Sequence, residues 1–431
     1  MKQKILTVLI MLLLCCSMNT YLSSMEAQKV ISENHVDTHI LEMIQHINET
    51  IVFDYMQSLL SFGARYTGSE NCSQAADWIF DTFYGMGLDT MVHQWEYGGF
   101  SSQNIVATLP GTDSHTDAQI ILSAHYDCTP GSLGADDDGS GVVAVLAAAS
   151  VMKDYSFNHT IKFIAFSGEE VGTYGSFCYA RDAYRNGDDI YAVLNLDMIG
   201  YANSKDGGNL LRFHCPSRSW WIGEDAQQYA DVYAEYTNIS VETRPNYIGA
   251  DHQAFIDYGY DGVWIAHRDG YPWANTPGDN PDHLNWTYQT KATKAMIAIT
   301  ASFARKPIPI QVSFTKPQEG MSYFFNRSLF PLDFGSEWYK GYRGMTIVFG
   351  RPLVSIDISS NDALDRVIYC IDGNFMVSLS KPPYDWQLQG KHFPFIGRHL
   401  LQVYAYTESG AVAFDEIELW IFTLSCQYGK W

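Results

Sequence analysis

Cationic side chains are scarce in this chain of 431 residues: 27 Lys and Arg face 48 Asp and Glu, a formal net charge of −21. Nucleic-acid partners need a basic stripe, so that balance argues against them. Cysteine is thin as well. Two of the eight sit at Cys15 and Cys16, and the other six, Cys72, Cys128, Cys178, Cys215, Cys370 and Cys426, are scattered without a CxxC pair. Their even number permits disulfides, Cys370 with Cys426 first among them, and six buried thiols remain the alternative. A Gly-x-Ser-x-Gly elbow is missing, which disfavours a serine hydrolase. Beyond the first residues no run is long and apolar enough to cross a bilayer. What is present is core material: 46% hydrophobic and 14% aromatic residues exclude a disordered chain.

The start of the chain pairs Lys2 and Lys4 with an apolar run at residues 5–14. That describes a secretory leader, taken as residues 1–24, and the expected location is secreted or cell-surface. A lipid anchor at Cys15 or Cys16 is the less favoured alternative, because no small residues precede them. Six Asn-x-Ser/Thr sites, at Asn48, Asn71, Asn158, Asn238, Asn285 and Asn326, accord with export.

From residue 35 to 306 strand-like and helix-like stretches alternate. Ile40, Met43, Ile44, Ile47 and Ile51 predict a helix over residues 35–60, and a second covers 71–85. Strands are expected near 92–97, 104–109, 120–125, 161–166, 190–196, 210–213 and 263–266, with helices at 141–152, 174–184, 220–236 and 288–303. This alternation implies a three-layer α/β sandwich around a mostly parallel sheet. Lys306-Pro307-Ile308-Pro309 then makes a linker, and short strands over residues 310–431 suggest a β-sandwich that resembles immunoglobulin-like modules.

Acidic clusters fall at the expected strand ends, where ligands of such folds collect. The organising stretch is Ile120 to Gly141. His125 and Asp127 follow an apolar strand and share one face at a period of two. A Gly-rich loop then delivers Asp136, Asp137 and Asp138 before a helix. Alone, His-x-Asp is most often ordinary structure, and the triple acid is a calcium loop or solvated turn. An EF-hand fails because the twelfth position is Ala147. Ser167-Gly168-Glu169-Glu170 follows another strand; two adjacent carboxylates there can divide metal binding and proton transfer, though an exposed Glu pair is usually surface charge. Asp197 lies in the apolar run Asn195-Leu196-Asp197-Met198, where an unpartnered acid is costly and a cation is the simplest partner.

In combined order and spacing, from the Phe62-Gly63-Ala64-Arg65 loop onward, these motifs resemble the secreted zinc aminopeptidases with a co-catalytic metal pair, relatives of glutamate carboxypeptidases and glutaminyl cyclases. The resemblance covers residues 54–303. It implies zinc, two ions or only one, with Asp137 bridging them, His125 and Asp197 completing one site and Glu170 belonging to the other. Glu169 is then the general base, acting with a metal-bound hydroxide; Asp127 orients His125, and Asp251 in Gly249-Ala250-Asp251-His252 lies near the peptide substrate. One departure stands out. Where that family has Tyr-His-Thr-Pro, this chain has Ala274-Asn275-Thr276-Pro277. Asn offers only a neutral amide oxygen, poor for zinc. Asn275 binds weakly, or His267 or His283 substitutes, or the second metal is lost. Trp220, Trp221, Tyr247, Tyr271 and Trp273 are candidates for an apolar substrate pocket, though most aromatics here are expected in the core. The expected function is removal of N-terminal residues from peptides. Its alternatives are another exopeptidase or one-metal cyclase on the same scaffold, and a non-catalytic binding ectodomain.

Overall fold

The computed structural model describes residues 36–114, 116–335, 339–388 and 396–423. The leader, Cys15, Cys16 and Cys426 lie outside these residues, and the Cys370–Cys426 pairing with them. No helix among the described residues is long and apolar enough to cross a membrane.

The expected helix over 35–60 is two helices, α1 (Thr38–His46) and α2 (Glu49–Leu60). Asn48 separates them: it leaves helical geometry and its side chain accepts the Ile51 N–H, starting α2 afresh. Helix α3 (Glu70–Gly85) follows, capped by Ser69. Strands β1 (Asp89–Tyr97) and β2 (Phe100–Leu109) form a hairpin turned through Gly98 and Gly99, both at positive φ. Next come β3 (Gln119–His125), α4 (Gly139–Met152), β4 (Thr160–Phe166), α5 (Tyr174–Asn186) and β5 (Ile190–Leu196). Strand β6 (Leu210–Cys215) leads to α6 (Trp220–Val232) and the short α7 (Ala234–Thr237), two helices where the sequence reads as one. A strand that the sequence reading missed, β7 (Ser240–Pro245), and α8 (His252–Asp257) precede β8 (Gly262–His267) and α9 (Trp286–Arg305).

These strands make one eight-stranded sheet in the order β1-β2-β4-β3-β5-β8-β6-β7. Its centre, β4-β3-β5-β8, is parallel, and antiparallel pairs lie toward both edges. Burial on both faces explains why the central strands read as unbroken apolar runs. Along β3, Ile120, Leu122 and Ala124 enter the core under α1–α4, α6 and α9, while Ile121 points to the opposite core with Phe177, Tyr179 and Phe255. Strands β4 and β5 divide the same way, and the expected three-layer α/β sandwich is the architecture found.

After residue 309 the chain builds a third, separate core. Strands β9 (Ile310–Lys316), β10 (Met321–Phe324), β11 (Arg327–Pro331), β12 (Ile347–Phe349), β13 (Leu353–Ser360), β14 (Leu364–Ile371), β15 (Asn374–Leu379), β16 (Trp386–Gln387), β17 (Ile396–Thr407) and β18 (Val412–Phe422) form two sheets. The larger runs β11-β10-β12-β18-β17-β14-β15 and the smaller β16-β13-β9. Val367, Tyr369, Val403, Leu419 and Ile421 fill the space between them. This β-module touches the α/β domain through Gln311 to Asp189 at 2.8 Å and Tyr184 to Glu319 at 2.9 Å.

Truncating Leu122, which is fully buried in β3, to alanine should cost about 2–5 kcal/mol. Urea unfolding checks this: the midpoint should fall with the slope unchanged, and an unchanged midpoint would contradict the packing described.

Candidate metal centre

Parallel pairing in near-register sets the ends of β3, β4, β5 and β8 on one edge of the sheet. His125 pairs with Phe166, Ser123 with Asn195, and Leu196 with Ile265. The residues just past those ends, His125, Glu169, Glu170, Asp197 and His267, therefore open into one region.

His125 is 1% exposed. Its Nδ1 lies 3.1 Å from the main-chain carbonyl of Asp127 and 3.6 Å from that residue's carboxylate. A carbonyl only accepts, so Nδ1 carries the proton and Nε2 is the free nitrogen. The backbone of Asp127, more than its side chain, thus sets the tautomer. Nε2 is buried without a hydrogen-bond partner, 3.4 Å from Asp137 Oδ1 and 3.9 Å from Asp197 Oδ1. Those gaps exceed the 2.7–2.9 Å usual for a charge-assisted hydrogen bond.

The three consecutive acids have different work. Asp136 is locked: one oxygen accepts the Gly200 N–H at 2.8 Å and the other meets His267 Nε2 at 2.8 Å. Asp138 caps α4, accepting the N–H groups of Gly141 at 2.9 Å and Met198 at 3.1 Å on one oxygen and of His125 at 3.2 Å on the other. His125, Asp138 and Asp197 bring ligand-type atoms within 4.8 Å of one another, yet both oxygens of Asp138 already serve backbone donors. Asp137 is the member of the run that faces His125 Nε2. Its N–H, and that of Asp136, are held by Asp279 at 3.2 and 2.8 Å, and Asp279 also accepts from Tyr271 at 2.8 Å. Beneath this loop Arg65 is fully buried, donating to the carbonyls of Tyr126, Leu133 and Gly134 at 2.7, 2.7 and 3.0 Å.

Asp127 is buried too. Its carboxylate accepts the Thr67 hydroxyl at 2.6 Å and the N–H groups of Glu169 and Glu170 at 3.3 Å each. Burial alone would raise this acid, but His125, Thr67 and the Glu169 amide outweigh it and hold the carboxyl below its ordinary range. Its neighbours go the other way. Burial, followed by repulsion from Asp137 and Asp251, pushes Asp197 up to about 7, and burial with repulsion from Asp137 and Asp127 pushes Glu170 up to about 8. Burial and repulsion from Asp251 and Asp197 also carry Glu169 well above the carboxylate range. Asp251, 1% exposed, is driven to about 6 chiefly by burial. His125 is raised despite its burial, because Asp127 and Asp137 favour the added proton. A buried imidazole lone pair facing carboxylates that repel one another, with an unpartnered Glu170 Oε1 beside them, is a donor set that fits a divalent cation such as zinc.

Other expected contributors fall elsewhere. Asn275 is exposed, at φ 60°, and no hydrogen bond among the described residues ties it to the acids. His267 spends its Nε2 on Asp136 at 2.8 Å, and its buried Nδ1 has no hydrogen-bond partner among the described residues. His283 stacks flat on Trp273 at 3.7 Å and bonds the Gly278 carbonyl through Nδ1 at 2.7 Å. The imagined aromatic pocket divides: Tyr271 and Trp273 join Tyr201 around His267, whereas Trp221 packs on Tyr191 and Phe303 in the core. Arg65, in the loop that opens the resemblance, Asp279, which ends the stretch after Asn275, and Thr67 all support the site, a role that no spacing gave them. A cavity of about 480 Å³ between the α/β domain and the β-module is lined by none of the acids of the centre.

Comparison with known proteins places this geometry. Residues 104–300 match the model described as Peptidase family M28. A leucine aminopeptidase 1 of Coccidioides posadasii is 27% identical over 308 residues, covering 63% of this chain and 76% of its own. Residues 104–300, the heart of the α/β domain, thus resemble that peptidase family. Among solved structures, the M28 fold is shared with the Legionella pneumophila aminopeptidase LapA, at 22% identity and TM-score 0.56 over 64% of this chain and 76% of LapA. It is shared also with BSAP, a zinc aminopeptidase from Bacillus subtilis, at 17% identity and TM-score 0.54 over 60% and 96%. The resemblance read from the motifs is thereby confirmed.

A pH consequence follows for the α/β domain without metal. Asp197 and Glu170 titrate higher folded than unfolded, so the folded state holds extra protons and stability falls as pH rises from about 4 toward 8. The melting temperature of chelated protein should drop between pH 5 and pH 8, and added zinc should raise it more at pH 8. An equal zinc effect at both values would contradict this electrostatic account.

Proposed function

We propose that this protein is an exported, zinc-dependent aminopeptidase that removes N-terminal residues from peptides. The observation that carries the reading is the buried, unpartnered Nε2 of His125 facing Asp137 and Asp197, in a domain similar to leucine aminopeptidases. His125, Asp137 and Asp197 would hold one zinc ion. Glu170 would offer a second and weaker seat, because Asn275 would bring at best an amide oxygen and lies exposed. Zinc there supplies Lewis acidity to the scissile carbonyl and eases deprotonation of the attacking water.

The chain's own groups do the rest. Glu169 takes a proton from the water and delivers it to the departing amine, so that the peptide leaves neutral. Asp127 is a positioning residue: it carries the amides of Glu169 and Glu170 and flanks His125. Asp251, close enough to Glu169 for mutual repulsion, receives the substrate's α-ammonium. Export rests on the leader at residues 1–24 and the sequons, and the β-module at residues 310–431 is taken as immunoglobulin-like. A one-ion enzyme is the second reading, favoured by the exposure of Asn275.

Aminoacyl reporter substrates test the proposal. Hydrolysis should vanish on chelation and return with zinc, and Glu169→Gln should lower kcat on the order of 10²–10⁴-fold with zinc content kept. Activity that survives chelation, or full activity in that variant, would overturn it. Asn275 is exposed and, among the described residues, tied to none of the acids, so Asn275→His should leave bound zinc unchanged, and a rise toward about two ions per chain would place it in the ligand shell. Unchanged zinc content in elemental analysis would show that position 275 lies outside the ligand shell.

A further inference from the structure

The loop that carries Glu169 and Glu170 is the least regular part of the centre. Gly168 and Gly172 have φ of 80° and 121°, and Thr173 takes a left-handed φ of 55° that a β-branched residue avoids. Inside, the loop closes on itself: the N–H groups of Gly172 and Thr173 both reach the Glu169 carbonyl at 2.8 Å, and Tyr174 N–H reaches the Gly168 carbonyl at 2.8 Å. One flank rests on aromatic rings. A Cβ at Gly168 would come within 2.6 Å of Trp95, and the Tyr174 ring packs on Tyr97 at 5.0 Å.

The other flank is held from outside the α/β domain. Lys340, in the β-module between β11 and β12, donates from Nζ to the Gly172 carbonyl and to the Thr173 hydroxyl, the latter at 3.0 Å. The same ammonium stands 4.7 Å over the Tyr174 ring, a cation–π distance. Its neighbours dock nearby: a Cβ at Gly341 would meet Asp257 at 2.7 Å, and Arg343 pairs with Glu319 at 3.1 Å, which in turn accepts Tyr184 at 2.9 Å. Lys340 is also close enough to Asp251, Glu169 and Asp257 to feel their charge.

We propose that Lys340 is a positioning residue by which the β-module completes the peptidase site: its ammonium latches the strained 168–173 loop, and so aims Glu169 and Glu170 at the acid cluster. This rests on the role given to Glu169 above, and the C-terminal module thereby gains a part in catalysis. The latch works through two hydrogen bonds and one ring contact from a solvent-exposed side chain, so it orders the loop without bearing on global stability.

Lys340→Met keeps the aliphatic stem and removes the charge and the donors; Lys340→Arg keeps both. In the full-length protein, Lys340→Met should speed hydrogen exchange of a peptide spanning residues 168–178 while exchange elsewhere and the melting temperature hold. On aminoacyl reporters kcat should fall about tenfold with KM within a factor of two, as misplacement of a catalytic group predicts, and Lys340→Arg should restore both readouts. Unchanged exchange in residues 168–178 would overturn the latch, as would a loss spread over the whole molecule. Exchange reads the loop whether or not the protein cleaves these reporters. An inactive wild type with a Lys340-dependent loop therefore sinks the aminopeptidase reading alone, and an active wild type with an indifferent loop sinks the latch alone.

Discussion

Carboxylates cannot gather in a dry pocket without a cation, and that constraint governs this molecule. Asp137, Glu169, Glu170, Asp197 and Asp251 converge around a single imidazole, and among the described residues no Lys or Arg forms an ion pair with any of them. The carboxyls of Glu169, Glu170, Asp197 and Asp251 are pushed upward by burial first; His125 pulls them back, and repulsion from neighbouring acids adds to the rise. Arg65 lies below, but its guanidinium is taken up by carbonyls. Holding such a cluster together costs free energy until a metal ion supplies the missing charge. The fold bears that cost through its two cores, which fix four parallel strand ends side by side.

Within the cluster, neutral donors decide which acid is free. Asp136 and Asp138 are immobilised by main-chain N–H groups and His267, while Asp137 between them is left facing His125. Asp127 and Asp279 do for the loops what Asp138 does for the helix: each gathers amides and so fixes a turn. A supporting set of buried carboxylates therefore surrounds the one left facing the imidazole, a common arrangement in centres that must hold ligands still.

Much of this was legible in the residues. Strand-end positions of His125, Glu169, Glu170 and Asp197 follow from apolar runs that stop at them, because a strand buried on both faces has no other place for polar groups. Helices were read too long where one polar residue re-caps the chain, as Asn48 does between α1 and α2. Strand β7 escaped because its exposed edge reads Ser-Val-Glu-Thr-Arg-Pro, without an apolar stripe. Sequence cannot show that Asp136 holds the Nε2 of His267 at 2.8 Å. Thr67 and Lys340, and the supporting role of Asp279, stayed hidden because each acts across 60 or more residues of sequence, through contacts that only folding creates.

The account stands on a cation between one imidazole and its facing acids, and anomalous diffraction from zinc-soaked crystals looks at that point directly. A zinc peak should appear about 2.0–2.2 Å from His125 Nε2 and from carboxylate oxygens of Asp137 and Asp197. A map without zinc there, in which His125 Nε2 donates a proton straight to Asp137, would contradict it.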